Sequence, residues 1–216
     1  MAVADVVFFD LDGTLTDPKL GITRCIQHAL AELGQPVPAA DELTWCIGPP
    51  LRQSFAALVG KSLVANALGL YRQRFSTVGW RENVVYPRIV DTLTGLMAAG
   101  IELHVATSKP HVYADQIIEH FGLSTFFRSV YGSELDGTHA DKAELLKHAL
   151  SETGVTGEIV MIGDRIHDAI AARANDVAFI GVTYGYGSTA ELDDAGPWPR
   201  VDSPSALLPL LLPTPA

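Results

Sequence analysis

The stretch from Val6 to Asp17, VVFFDLDGTLTD, restricts the fold more than any other part of the chain. Four apolar residues, Val6 to Phe9, run unbroken between Asp5 and Asp10. Such a run predicts a short strand that is buried throughout. Asp10 and Asp12 follow where the strand runs out. Side chains alternate along a strand, so the two carboxylates start on the same side. Gly13 permits a sharp change of direction, and Thr14 can hydrogen-bond local backbone there. Two acids crowded at the end of a buried strand repel each other. A cation bound between them, or a proton on one of them, relieves that repulsion.

A chain of 216 residues, 48% apolar, has the material for one large domain or two small ones. No segment reaches the apolar length of a membrane span, and the start, with Asp5 and no basic residues, does not read as a secretory signal. Cys25 and Cys46 lack metal-ligand spacing and are expected as packing residues in a cytoplasmic protein. The net charge of −10 argues against a nucleic-acid surface. That charge is uneven: residues 18–86 carry +3 and the remainder −13. A basic segment inside an acidic chain is expected either to face something anionic or to be ordinary solvated helix surface.

After Asp17 the periodicity becomes helical. Ile22, Ile26, Ala29, Leu30 and Leu33 recur at helix spacing, and Gly34 follows as a stop. A short helix near Asp41–Cys46, another from Leu51 to Gly60, and a third capped by Ser62 complete a helical insert. From Pro87 onward, helices alternate with apolar runs at IELHVATS, Ser129–Tyr131, Ile159–Ile162 and Val177–Val182, with Pro110 opening a helix and Ser205–Leu212 closing the chain. This alternation predicts an α/β fold: a Rossmann-like parallel sheet with helices on both faces, formed by residues 1–17 and 87–216, with a small α-helical cap, 18–86, inserted after the first strand. Ligands of such sheets bind beyond the carboxyl ends of the strands. Asp10 and Asp12, Thr107 and Ser108, and Asp164 all fall at those ends.

DLDGTLTD resembles the nucleophile motif of the haloacid dehalogenase superfamily of phosphohydrolases, and three further segments match that family's motifs in order. The resemblance implies Asp10 as nucleophile, forming an aspartyl-phosphate, and Asp12 as general acid and base. It implies Thr107, with the backbone N–H of Ser108 ahead of a helix, as the phosphate site. Lys142 matches the lysine that steadies nucleophile and phosphate, although Lys-Ala-Glu stands here where relatives often have prolines; Lys109 is the competing candidate. In GDRIHDA, Asp164 is implied as a ligand of Mg²⁺ together with Asp10 and the backbone carbonyl of Asp12, while Asp168 orients metal waters or pairs with Lys142. IGPPLRQSF and VYGSELDGT look like the phosphoglycolate phosphatase-like branch, which makes Arg52 a candidate for holding the far end of an anionic substrate. The implied activity is Mg²⁺-dependent hydrolysis of a small phosphomonoester metabolite, phosphoglycolate-like or nucleotide, by a cytoplasmic monomer or homodimer. A β-phosphoglucomutase-like phosphotransferase and a non-catalytic regulator on the same scaffold are the alternatives.

Overall fold

The computed structural model describes residues 4–212 of the chain. They form two compact units: the residues up to Thr16 together with those from Val85 onward, and Asp17–Val84. The chain runs through strand β1 (Val6–Phe9) and the two-residue β2 (Thr16–Asp17) into helices α1 (Lys19–Glu32), α2 (Leu51–Val59) and α3 (Val64–Thr77), then β3 (Val84–Val85). β2 and β3, the two crossings between units, make up a two-stranded sheet. From there helices α4 (Ile89–Ala98), α5 (His111–His120), α6 (Lys142–Thr153), α7 (Ile166–Ala174), α8 (Thr189–Ala195) and α9 (Leu208–Leu211) interleave with β4 (Glu102–Pro110), β5 (Ser129–Ser133), β6 (Ile159–Gly163), β7 (Ala178–Val182) and β8 (Arg200–Val201). Among the described residues no helix is long and apolar enough to cross a membrane.

The larger unit is built on a six-stranded sheet in the order β5-β4-β1-β6-β7-β8, with every pair parallel. β1 is central and buried along its whole length, which is why its residues are apolar on both faces rather than alternating. On one face Phe8 and Met161 pack with Leu146 and Ala149 of α6 and with Ala169 and Ala172 of α7. The alanines let α7 lie close to the strands. His104 is part of this core: it is fully buried, stacks on Phe8 with ring centroids 4.8 Å apart, and shares a 2.9 Å hydrogen bond with Glu102. Register then places the reactive residues. Phe9 lies opposite Val105 on one side and Ile162 on the other. Asp10, Thr107 and Asp164 therefore emerge within a residue or two of one another at the carboxyl ends of three adjacent strands.

The smaller unit is helical. Ile22, Ile26 and Leu30 of α1 are buried, as are Phe55, Tyr71 and Phe75. Tyr71 stacks on Phe75 at 5.3 Å and meets Phe55 edge-on. Glu82 accepts hydrogen bonds from Arg24 and from both ends of the Arg74 guanidinium. Both cysteines are buried and free.

Several local expectations are corrected. Pro110 does not open a helix; β4 continues through it and α5 starts at His111. A residue before proline is pushed toward extended backbone, so Lys109 stays in the strand. The register against β5 shifts between Thr107 and Pro110, and Gly132 accommodates the shift: a Cβ there would lie 2.6 Å from the His111 backbone. Ser62 caps nothing; it sits within a 3₁₀ turn, Lys61–Leu63, that leads into α3. The closing segment is a 3₁₀ turn at Pro204–Leu207 followed by α9. α8 and β8 were not anticipated, although Ser188 and Glu191 have the spacing of a helix start, and Ser188 does accept from the Glu191 amide.

Two outcomes follow from packing. A Cβ on Gly21 would stand 2.1 Å from the Gly79 carbonyl, whereas one on Gly69, inside α3, meets nothing within 4 Å. Gly21→Ala will destabilise the protein by about 1–3 kcal/mol, and Gly69→Ala will stabilise it by about 0.5–1 kcal/mol, both read from chemical denaturation. Burial, partly opposed by Glu102, holds the His104 pKa below the usual imidazole range. The unfolded ring takes up a proton more readily, so stability is retained above about pH 6.5 and lost as the pH falls below it. His104→Phe will narrow the gap in melting temperature between pH 8 and pH 5 relative to the unmodified chain.

Candidate active site

β1 ends in a tight turn. The Leu11 carbonyl accepts from the amides of Thr14, Leu15 and Thr16, and Gly13 sits at φ +84°. Only glycine fits there, because a Cβ would lie 2.3 Å from Asp164 Oδ2. The turn thus packs directly against Asp164 at the end of β6. Asp10, Asp12, Lys109, Lys142, Asp164 and Asp168 are all less than a tenth exposed. Lys142 Nζ lies 2.8 Å from Asp10 Oδ1 and also contacts Asp168 Oδ1. Lys109 Nζ lies 2.7 Å from Asp12 Oδ2.

Helix ends aim these groups. Asp141 caps α6 by accepting from the amides of Ala143 and Glu144, which places Lys142 in the first turn. A cation is disfavoured at a helix N-terminus; here two carboxylates compensate. Burial opposes the Lys142 charge, but Asp10 and Asp168 outweigh it and hold the ammonium above the usual lysine range. Asp168 turns back to accept from the Arg165 amide at 3.0 Å, and Gly163 leaves the space it needs. Glu191 of α8 accepts from both the Arg165 side chain and the Ile166 amide, tying down the start of α7. Asp164 Oδ2 accepts from the Tyr186 amide at 2.7 Å.

Four carboxylates therefore face two ammonium groups in a buried site. Burial and the neighbouring Asp168 and Asp10 push the Asp164 pKa well above the carboxylate range. Burial raises Asp168 to about 6 against the pull of Lys142, and raises Asp12 against the pull of Lys109. Oxygens of Asp10, Asp164 and Asp168 lie within 4.8 Å of one another, and Asp164 Oδ1 has no hydrogen-bond partner among the described residues. An all-oxygen, electron-rich set of this kind fits a hard divalent cation such as Mg²⁺.

The remaining expected residues divide. Thr107 is buried at the site end of β4, and its hydroxyl accepts from the Lys109 amide at 3.3 Å. Ser108 lies in extended strand three residues before α5, with its carbonyl held by the Ser133 hydroxyl. Arg52 is exposed on α2, in the other unit. The role of Lys109 was under-read: Lys-Pro implies extended backbone, and two residues along a strand from Thr107 is the same face. The Tyr186 and Glu191 contacts span more than 20 residues and left no local pattern to find.

Residues 7–182 match the sequence pattern of the haloacid dehalogenase-like hydrolases. The chain belongs to that family. It is 48% identical over 189 residues to a 5'-nucleotidase of Pseudomonas aeruginosa, covering 86% of each chain. It is 38% identical to the tyrosine-protein kinase PtkA of Mycobacterium tuberculosis, over 87% of this chain and 65% of that one. The crystal structure of a predicted phosphatase from Clostridium acetobutylicum superposes with a TM-score of 0.91 at 39% identity, over 95% of this chain and 97% of the other.

The carboxylate excess generates a prediction. Asp164→Asn removes one repelling charge, and the Asn carbonyl oxygen can still accept from Tyr186. Without divalent cation this variant will melt at a higher temperature than the unmodified chain. Added Mg²⁺ will raise the melting temperature of the unmodified chain by mass action and leave the variant nearly unmoved. Thermal unfolding with Mg²⁺ or with a chelator reads both effects.

Proposed function

We propose that this haloacid dehalogenase-like phosphomonoester hydrolase is Mg²⁺-dependent and attacks its substrate through Asp10. A single observation carries the reading: Asp10 is buried against Lys142, which also contacts Asp168, and clusters with Asp164 and Asp168, while a second carboxylate, Asp12, two residues on is held by its own lysine. Asp10 attacks phosphorus and forms an aspartyl-phosphate while the ester oxygen departs. Asp12 gives that oxygen its proton, then takes one from the water that cleaves the acyl phosphate. Burial, which raises the Asp12 pKa, favours the protonated form that this first step needs. Lys142 holds Asp10 in place and would offset charge on the phosphoryl oxygens, one of which the Thr107 hydroxyl would bind. Asp10, the Asp12 carbonyl and Asp164 would hold Mg²⁺, with Asp168 behind them. When bound, the ion offsets the repulsion between the Asp10 carboxylate and the phosphate dianion.

The substrate class we favour is a nucleoside 5'-monophosphate, supported by the name of the Pseudomonas aeruginosa relative. A phosphoglycolate-like ester is the alternative within hydrolysis. Arg52 is proposed, from its sequence position alone, to hold an anionic group of the substrate. Two free buried cysteines agree with a cytoplasmic setting, and a monomer or homodimer suffices for this chemistry. The name PtkA and the mutase alternative point to a second reading, transfer to an acceptor other than water. Inorganic phosphate release in a panel of nucleotides and sugar and glycolate phosphates separates hydrolysis from transfer.

Asp10→Asn will abolish turnover of p-nitrophenyl phosphate while the melting curve stays cooperative. Asp12→Asn will slow alkyl phosphates by about 10²–10⁴-fold and p-nitrophenyl phosphate much less, because nitrophenolate departs without a proton. Equal losses on both esters would remove Asp12 from the role of leaving-group acid.

A further inference from the structure

The loop after β7, Tyr184-Gly185-Tyr186-Gly187, holds no ionisable group of the reaction, yet it touches both halves of the carboxylate site. Its Tyr186 amide donates to Asp164 Oδ2 at 2.7 Å, while Oδ1 has no hydrogen-bond partner among the described residues. The Tyr184 hydroxyl donates to the Thr14 carbonyl at 3.0 Å, in the turn that follows Asp10 and Asp12. The next carbonyl of that turn, Leu15, accepts from the Tyr86 amide, and Tyr86 meets Tyr184 edge-on with centroids 5.0 Å apart. The two glycines are where the backbones come closest. A Cβ on Gly185 would stand 2.3 Å from the Gly13 carbonyl and 2.5 Å from Asp164, and one on Gly187 only 1.8 Å from the Asp164 carbonyl. Burial raises the energy of the Tyr184 phenolate, so the hydroxyl stays a donor.

We propose that the Tyr184–Gly187 loop is a positioning element that sets the spacing between Asp10 and Asp164, and with it the affinity of the site for a divalent cation. Tyr184 acts on the Asp10 side, through the Thr14 carbonyl. Tyr186 acts on the Asp164 side, through its amide. The two glycines let one loop do both. The proposal rests on the Mg²⁺ reading given above. It requires that changes in the loop alter cation binding although no loop side chain is a ligand.

Isothermal titration of Mg²⁺ into the full-length protein tests it, with p-nitrophenyl phosphate turnover as a second readout. Gly185→Ala is expected to weaken Mg²⁺ binding about 10–100-fold, as loss of a group supporting a ligand does, with kcat at saturating Mg²⁺ falling less. Tyr184→Phe keeps the ring against Tyr86 and removes one hydrogen bond, so it is expected to weaken Mg²⁺ about 2–10-fold. Gly181→Ala is the control: it lies in β7, where a Cβ meets nothing closer than 3.5 Å, and it should bind Mg²⁺ as the unmodified chain does. Unchanged affinity in Tyr184→Phe and in folded Gly185→Ala overturns the proposal alone. Equal weakening by Gly181→Ala also overturns it, because the effect would then be general loosening. If Gly185→Ala does not fold, Tyr184→Phe decides. Absence of Mg²⁺ binding by the unmodified chain overturns the metal reading, and this proposal with it.

Discussion

Unbalanced buried charge is the constraint on which the site depends. Asp10, Asp12, Asp164 and Asp168 share a space from which water is largely excluded, and the buried Lys109 and Lys142 pair with them. An isolated ion is expensive in such surroundings, and each lysine is useful only because it is paired. The arrangement is locally unfavourable and is held by everything around it: a central strand without a polar residue, a cap on α6, and the start of α7 tied by both Asp168 and Glu191. An excess of negative charge at a strand-end cluster is what binding a cation would relieve.

The parallel register converts separate segments of sequence into one cluster. β1, β4 and β6 are neighbours, and Phe9, Val105 and Ile162 lie level across them, just short of the site residues. Residues nearly a hundred positions apart thus need no long-range signal of their own to meet. It suffices that each follows an apolar run. The core beneath them, with Phe8 stacked on His104 and small alanines on α7, fixes that level.

This explains what could be read in advance. Asp10 and Asp164 were visible because a buried strand and a following acid are both local patterns. Lys142 was visible as the first residue of a helix, and Asp141 before it is a recognisable cap. Pro110 was expected to open the helix because Thr-Ser-Lys-Pro suits a helix start; the shift against β5, absorbed by Gly132, keeps the backbone extended through it. α8 and β8 were missed since they are short and lie among glycines and prolines. Contacts made by backbone amides, such as that of Tyr186, depend on loop geometry and leave the side-chain pattern uninformative.

The strand that overruns its expected end has a further consequence. Thr107 and Lys109 share a side of β4 because they are two residues apart, and Pro110 marks where the chain must turn. Substitutions between them change one contact each. An insertion or deletion of a single residue would instead rotate everything beyond it, carry Lys109 away from Asp12, and move the shift away from Gly132. The short path from Val105 to His111 is thus more tolerant of altered identity than of altered length. Related sequences should vary there in residue type while keeping the count unchanged.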